Sequence, residues 1–201
     1  MIAVWPFERQ KKEINKIERQ SYISVKDSTE EKEIDKIAKK LKDIINNTAG
    51  EIIILCIGSD RSTGDSLGPI VGTMLKEKNI PFPIYGTLEE PVHALNIKRI
   101  LKEIHHTHNE PFILGIDACL GDESQIGMIL LKEGPLVPGK ALNKVLPSVG
   151  DYHLEVFVNY LDPFSAIQSL NTTRLYTVIK LAEIMTKIIT CSTFNENFSS
   201  R

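Results

Sequence analysis

The stretch EIIILCIGSDRSTGDSLGP, residues 51–69, decides the predicted fold. It begins with a continuous apolar run, which is typical of a strand that is buried on both faces of a parallel sheet. The loop that follows concentrates acids, hydroxyls and glycines, and Pro69 then stands in the first turn of a helix, where its missing N–H costs nothing. A loop that only joined two elements would not need this concentration, so we expect it to hold a ligand or a substrate.

Apolar periodicity on either side of this stretch predicts alternating strands and helices. We predict helices over 28–47, 65–78, 91–108 and 172–189, strands over 51–58, 82–88, 111–122 and 126–131, and a loop rich in proline and glycine over 132–151. This alternation favours an α/β fold, a three-layer α/β/α sandwich with a mostly parallel sheet. We predict a flexible N-terminal arm over 1–27, a single α/β domain over 28–192 and a flexible tail over 193–201.

Composition and charge exclude several function classes. The formal net charge is −2 in 201 residues, which provides no basic field to attract nucleic acid or an anionic membrane. The three cysteines, Cys56, Cys119 and Cys191, are widely spaced and odd in number, which favours a reducing compartment. No apolar run approaches the roughly 20 residues of a membrane helix. We therefore predict a cytoplasmic protein without nucleic-acid or membrane partners.

Two acids follow different strands of the predicted sheet. Asp65 follows the first buried strand, and Asp117 ends the third. Ligands of such sheets bind beyond the carboxyl ends of the strands. Two neighbouring carboxyls cannot both ionise cheaply, so one keeps a proton and the pair offers an acid and a base to a water molecule. The alternative is structural: Asp65 caps the following helix, and Asp117 makes a local turn bond.

Other kinds of site are possible with the same residues. The loop imitates a phosphate-binding loop, but Asp65 stands where that loop has a lysine, and its charge would repel phosphate. The oxygens of Asp60, Asp65 and Asp117, together with a nitrogen of His153, suit a divalent metal.

Cysteine and histidine side chains give weaker indications. Cys119 lies two residues beyond Asp117, but no histidine is near it in sequence, so we do not favour a thiol nucleophile. Cys56 is predicted to lie in the core. The histidines at 105, 106 and 108 are predicted to face solvent at a helix end.

Three segments carry a family resemblance: CIGSDRSTGDSLGPIVG, GIDACLG and GPLVPGKALNKVLPSVGD. In this order they resemble the YyaC family of sporulation proteins from endospore-forming bacteria. That family is similar to the spore germination protease and, more distantly, to the endopeptidases that mature nickel–iron hydrogenases. The resemblance implies their three-layer, phosphorylase/hydrolase-like fold. Asp65 and Asp117 match the two acids that are considered essential in the germination protease, and His153 resembles a histidine that holds the substrate's metal in the hydrogenase peptidases.

The residues and the resemblance together predict a sporulation-associated peptidase that cleaves a protein or peptide with two aspartates. The alternative is a non-catalytic sporulation protein that binds a peptide or metal in the same cleft. We expect no resident cofactor, although Asp65, Asp117 and His153 could hold a divalent metal, and a homo-oligomer is compatible with the sequence. Backbone donors to the oxyanion are predicted from Gly58, Ser59 and Gly64, and the surrounding shell is predicted to include Ser59, Asp60 and Ser66.

Overall fold

The computed structural model describes the backbone of Ser21–Val25 and the whole of residues 31–139 and 146–194. Most of the predicted arm (1–20 and 26–27) lies outside the described residues, as do positions 28–30, the loop segment 140–145 and the tail segment 195–201. Within the described part of the chain, no helix has the length and apolar character needed to cross a membrane.

A six-stranded sheet runs through the described residues in the order β1-β5-β6-β4-β2-β3. The central strand β4 is parallel to both β2 and β6, and β2 is parallel to β3. At the other side, β5 is antiparallel to β6 and to β1. The sheet is therefore mostly parallel, as predicted. The strands are β1 (Ser21–Val25), β2 (Ile52–Cys56), β3 (Ile84–Tyr85), β4 (Phe112–Gly121), β5 (Ile129–Glu133) and β6 (Tyr152–Tyr160).

Helices lie on both faces of this sheet, so the predicted three-layer α/β fold is confirmed. Three helices cover the first face, and these are α1 (Glu31–Asn47), α2 (Leu67–Glu77) and α5 (Leu175–Phe194). The second face carries α3 (Ile97–Thr107), whose buried side chains pack on β2 and β4. The short helix α4 (Ala166–Thr172) follows β6.

Alternation along β4 divides its side chains between two cores. Leu114 and Ile116 point into the first core, and Ile113 points into the second. β2 is buried along its whole length because both of its faces are covered, which explains its unbroken apolar sequence. Each fully buried leucine or isoleucine contributes about 1.5–3 kcal/mol to the free energy of unfolding.

The close packing of α2 against the end of β2 requires glycine at position 68. A Cβ at Gly68 would lie 2.1 Å from the carbonyl oxygen of Ile57. Because real Cβ atoms do not come that close to backbone, only glycine lets the first turn of α2 pack there.

Three elements have no counterpart among the predicted ones. β6 and α4 fall in a part of the chain for which the sequence predicts no helix or strand. β1 lies inside the predicted flexible arm, so that prediction is wrong for Ser21–Val25, which form an edge strand. α5 continues to Phe194, two residues beyond the predicted domain end at 192.

The third helix begins later than predicted. It starts at Ile97 and not near Pro91. The Asn96 side chain holds the preceding turn, because its Oδ1 accepts a hydrogen bond from the His93 N–H (2.8 Å) and its Nδ2 donates to the Pro91 carbonyl (2.9 Å). Such side-chain bonds compete with helix formation.

Candidate active site

The first acid is carried by a short turn that folds back onto the end of β2. Asp65 lies in a 3-10 turn, Gly64–Ser66, that leads into α2. The Ser59 N–H donates to the Asp65 carbonyl oxygen over 3.1 Å. Gly58 has φ +148°, and a Cβ there would lie 2.0 Å from that same oxygen. Glycine at position 58 therefore allows the turn to close and places Asp65 at the carboxyl edge of the sheet.

The structure places Asp65 one residue before the N-cap of α2 and Asp117 inside a strand. Ser66, not Asp65, is the N-cap residue of α2, and the Ser66 side chain makes no capping bond. Asp117 does not end its strand, since β4 continues to Gly121. It is only 9% exposed, and its carboxyl accepts a hydrogen bond from the backbone N–H of Ala118.

The surroundings of Asp117 favour its protonated form. Burial raises the pKa of Asp117 well above its ordinary value, and the negative charges of Asp65 and Glu155 raise it further. The bond from Ala118 opposes this rise without cancelling it. Asp65 and Asp117 thus lie within electrostatic range of each other, as the sequence predicted, and Asp117 keeps its proton at pH values where an ordinary aspartate has lost it.

A polar cluster that the sequence analysis missed lies on the same face of the sheet as Asp117. Glu155 on β6 is the register partner of Asp117 on β4. The Lys132 Nζ on β5 lies 2.5 Å from the Glu155 Oε2, and the His153 Nε2 lies 3.6 Å from the Glu155 Oε1. The other ring nitrogen of His153, Nδ1, donates to the Gly134 carbonyl over 2.8 Å. Glu155 therefore stands opposite Asp117, and His153 contacts Glu155.

Glu155 is the ionised member of this cluster. Its burial raises the pKa, but the nearby His153 ring and the positive charge of Lys132 outweigh burial and bring the pKa of Glu155 to about 2. Two carboxyls on adjacent strands thus have opposite protonation preferences, Asp117 neutral and Glu155 charged. Such a division between neighbouring acids is typical of sites that carry out acid–base chemistry.

Two of the three predicted backbone donors are already engaged. The Gly58 N–H donates to the Val92 carbonyl (2.8 Å), and the Ser59 N–H donates to the Asp65 carbonyl. The prediction that these two groups stabilise an oxyanion is therefore wrong, because both make bonds within the fold. Gly64 packs against α4, since a Cβ there would lie 3.0 Å from the Leu170 Cδ2.

The other residues of the predicted shell differ in their burial and in their hydrogen bonds. The buried Ser66 hydroxyl donates to the Thr63 carbonyl over 2.7 Å, so it holds the turn. Ser59 is half-buried, and its Oγ accepts a bond from the Arg61 N–H at 3.3 Å. Asp60 is exposed to solvent.

The thiol near the acids is not activated. Burial raises the pKa of Cys119 well above its ordinary value, and the charges of Glu155 and Asp117 add to the rise, while Lys132 opposes it. A neutral thiol is a poor nucleophile, so Cys119 is not expected to act as one. The prediction for Cys56 is confirmed, since it is fully buried in the first core.

The predicted solvent-facing histidines behave differently from one another. His105 and His106 are exposed, as predicted. His108 is not, because its Nδ1 lies 2.9 Å from the Glu51 Oε1 and its Nε2 lies 3.0 Å from the Tyr85 hydroxyl. That residue links the end of α3 to β2 and β3, away from the acids.

Two further observations concern ligand binding. Among residues 31–139 and 146–194, no group of three His, Cys, Asp or Glu side chains is arranged to hold a metal ion. A cleft of about 430 Å³ lies between β3 and α3, where Tyr85 and Arg99 contribute to its lining. Neither Asp65 nor Asp117 lines that cleft.

The fold and the site define a three-layer α/β protein with two electrostatically coupled acids at the carboxyl edge of its sheet. The chain belongs to the family described as "Protein of unknown function (DUF1256)", which matches residues 25–188. It is 42% identical over 166 residues to the "Uncharacterized protein YyaC" of Bacillus subtilis (strain 168), across 82% of this chain and 79% of that relative. The predicted membership of the YyaC family is confirmed.

Comparison with solved structures finds the NiFe hydrogenase maturation protease HycI from Thermococcus kodakarensis KOD1. The match has a TM-score of 0.42 and 17% sequence identity, and it covers 75% of this chain and 99% of that chain.

Proposed function

We propose that this protein is a peptidase, in which Asp117 is the acid and Asp65 is the base, and that it acts in the cytoplasm during sporulation. The observation that carries the proposal is the buried, proton-retaining Asp117 within electrostatic range of the half-buried Asp65. The resemblance of GDSLGP and GIDACLG to the germination protease supports the reaction class and the association with sporulation.

The reaction divides between the two carboxyls. Asp65 accepts a proton from a water molecule while the water oxygen attacks the peptide carbonyl carbon. Asp117 donates its proton to the carbonyl oxygen. When the tetrahedral intermediate collapses, the C–N bond breaks, Asp65 passes its proton to the amine nitrogen, and Asp117 recovers a proton from the hydroxyl of the intermediate. Because Asp117 stabilises the carbonyl oxygen itself, the engaged N–H groups of Gly58 and Ser59 are not needed as donors.

An apolar surface beside the site supports a polypeptide substrate. Leu161 donates its N–H to the carbonyl of Gly121, at the end of β4 (2.7 Å). Four large apolar side chains are exposed in this neighbourhood: Tyr160 (40%), Leu161 (42%), Phe164 (97%) and Ile167 (61%). Clustered exposed apolar side chains of this kind mark interaction surfaces. The proposed substrate therefore presents apolar side chains near the cleaved bond.

The second candidate is a protein that binds a peptide without cleaving it. One observation favours it, namely that two of the predicted oxyanion donors are already engaged in bonds within the fold. In that case Asp117 would hold a substrate carbonyl by a hydrogen bond, and no product would form.

The test is incubation of the purified chain with a lysate of sporulating Bacillus subtilis cells, followed by mass spectrometry of new peptide termini. The variants are Asp65→Asn and Asp117→Asn, and the matched control is Asp43→Asn, which changes an exposed aspartate on α1. We expect new termini with the wild-type chain and the control and none with the two site variants. Termini that persist in both site variants would contradict the assignment of the acids.

Two further measurements separate the alternatives. Adding a chelator leaves cleavage unchanged if the two acids act alone, whereas loss of cleavage indicates that the reaction requires a divalent metal. If no new termini form in any sample, a peptide that co-purifies with the wild-type chain but not with Asp117→Asn would support the binding candidate. Light scattering of the same samples would show whether the apolar surface joins two copies of the chain.

A further inference from the structure

The side chains of three adjacent strands meet on the second face of the sheet. Asp117 on β4 is the register partner of Glu155 on β6, and Lys132 on β5 is the register partner of His153. Lys132 reaches diagonally from β5 to Glu155 on the neighbouring β6. Both side chains are partly buried, Lys132 at 17% exposed and Glu155 at 20%. Their charges are therefore screened less by water and salt than those of an exposed surface pair.

We propose that Glu155 and Lys132 are positioning residues of the Asp117 site: the ion pair fixes one negative charge beside Asp117, so that Asp117 and not Glu155 carries the proton. This inference rests on the proposed function, because it explains how the acid of the reaction is kept protonated.

Three titratable groups face Asp117 or lie beside it on its own strand. Asp65 faces it from the 3-10 turn, Glu155 faces it from β6, and the neutral Cys119 thiol lies two residues along β4. None of these three is a cation. Lys132 and His153 both contact Glu155, so within the described part of the chain the positive charge of Lys132 stabilises Glu155 and not Asp117.

The cluster therefore determines which of two neighbouring carboxyls, Asp117 or Glu155, holds the proton. If Lys132 did not bind Glu155, a buried carboxyl would stand next to Asp117 with only His153 as a partner, and the two acids would titrate as a coupled pair. With Lys132 in place, Glu155 remains ionised, and the proton stays at the acid that faces Asp65.

The test measures the protonation of Asp117 directly and does not require activity. Carboxyl ¹³C chemical shifts of aspartate-labelled protein are followed against pH, and Asp117→Asn assigns the signal. Removing the neighbouring charge with Glu155→Gln should lower the midpoint of the Asp117 titration by about one pH unit or more. The control Glu183→Gln, which changes an exposed acid on α5, should leave that midpoint in place.

Lysine variants keep the proposal testable if Glu155→Gln folds poorly. Lys132→Met should turn the single Asp117 titration into a two-step curve shared with Glu155, and Lys132→Arg should restore the single step. The double variant Lys132→Met with Glu155→Gln should fold better than Lys132→Met alone, because it leaves no unpaired buried charge. An Asp117 midpoint that does not move in any of these variants would overturn the proposal.

The two proposals fail in different ways. If Asp117 titrates as expected but no peptide is cleaved, the peptidase function fails and the charge arrangement stands. If peptides are cleaved and the high-pH limit of kcat/KM stays in place in Glu155→Gln, the charge arrangement fails and the peptidase stands. A merely structural role of the ion pair would lower stability without moving that pH limit.

Discussion

Replacing Asp117 with asparagine should make the folded chain more stable at neutral pH. Asparagine has nearly the shape of the protonated aspartate, and its side-chain oxygen can keep the bond from the Ala118 N–H. It cannot ionise, so it avoids the cost of placing a negative charge in a buried position beside Asp65 and Glu155. A substitution that removes the proposed acid of a peptidase should therefore abolish cleavage and increase stability.

The size and sign of the effect follow from the raised pKa. Between the ordinary aspartate value of 3.8 and its own higher pKa in the fold, Asp117 binds more proton in the native state than in the unfolded state. The free energy of unfolding therefore falls as pH rises through this window, by about 1.4 kcal/mol per pH unit from this group. Asp117→Asn removes that slope. The two proteins should be about equally stable near pH 3.8, and the variant should gain steadily above it.

The contribution of Glu155 to the free energy of unfolding depends on pH in the opposite sense and at lower pH. Its pKa is lowered from 4.5 to about 2, so its contribution to the free energy of unfolding is complete above pH 4.5 and is lost as pH falls toward 2. The change amounts to roughly 3 kcal/mol. Above pH 5 it is constant, and it does not disturb the comparison between the wild-type chain and Asp117→Asn.

Urea unfolding at half-unit steps from pH 4.5 to pH 8, followed by circular dichroism, measures this difference. The matched control Asp43→Asn, at an exposed position on α1, should follow the wild-type curve within about 0.5 kcal/mol. An Asp117→Asn variant that is less stable than wild type at pH 7, or a stability difference that does not change with pH, would refute the reasoning.

Three other predictions concern the turn at Gly58, the Cys119 thiol and the bond between Tyr85 and His108. Gly58→Ala should lower the free energy of unfolding by roughly 3 kcal/mol or more, because it combines a backbone clash with a strained φ. Gly127→Ala, where the added Cβ meets nothing within 4 Å, should cost less in the same urea titration. Cys119→Ala should keep full cleavage. In the native chain Cys119 should react with iodoacetamide at pH 8 at least about tenfold more slowly than in the urea-unfolded chain. Comparable rates would show that the thiol is activated. Tyr85→Phe should cost about 1 kcal/mol through loss of the bond to His108, measured by urea unfolding, and an unchanged midpoint would show that this bond contributes nothing.

Local patterns predict the parts of the fold that depend on one segment alone. The apolar run of β2 and the periodicity of α1 and α5 require no knowledge of neighbours, and these elements lie close to their predicted positions. β6 was missed because a strand next to the centre of a parallel sheet is expected to be continuously apolar, whereas this one carries His153 and Glu155. Their polar groups are satisfied by β5 and by the loop at Gly134, and a single segment does not reveal such partners.

The same distinction explains what could be predicted of the site. Asp65 is predictable because its loop follows a recognisable strand, and Asp117 because it interrupts the apolar run of another strand; the topology of a parallel sheet brings the carboxyl ends of such strands to one edge. Asp117 itself lies within β4, before the end of the strand. The backbone donors were predicted wrongly, since a glycine in a loop shows that the chain turns closely but not which carbonyl receives its N–H.

Glu155 and Lys132 give the site a property that its two acids lack. Burial already favours the proton on Asp117 over the half-buried Asp65. A second negative charge beside Asp117, fixed by Lys132, adds to that preference. The division into acid and base therefore depends on β5 and β6 as well as on the two motifs. A relative that kept both motifs but lost the ion pair would be expected to retain the fold and to show a different dependence of activity on pH.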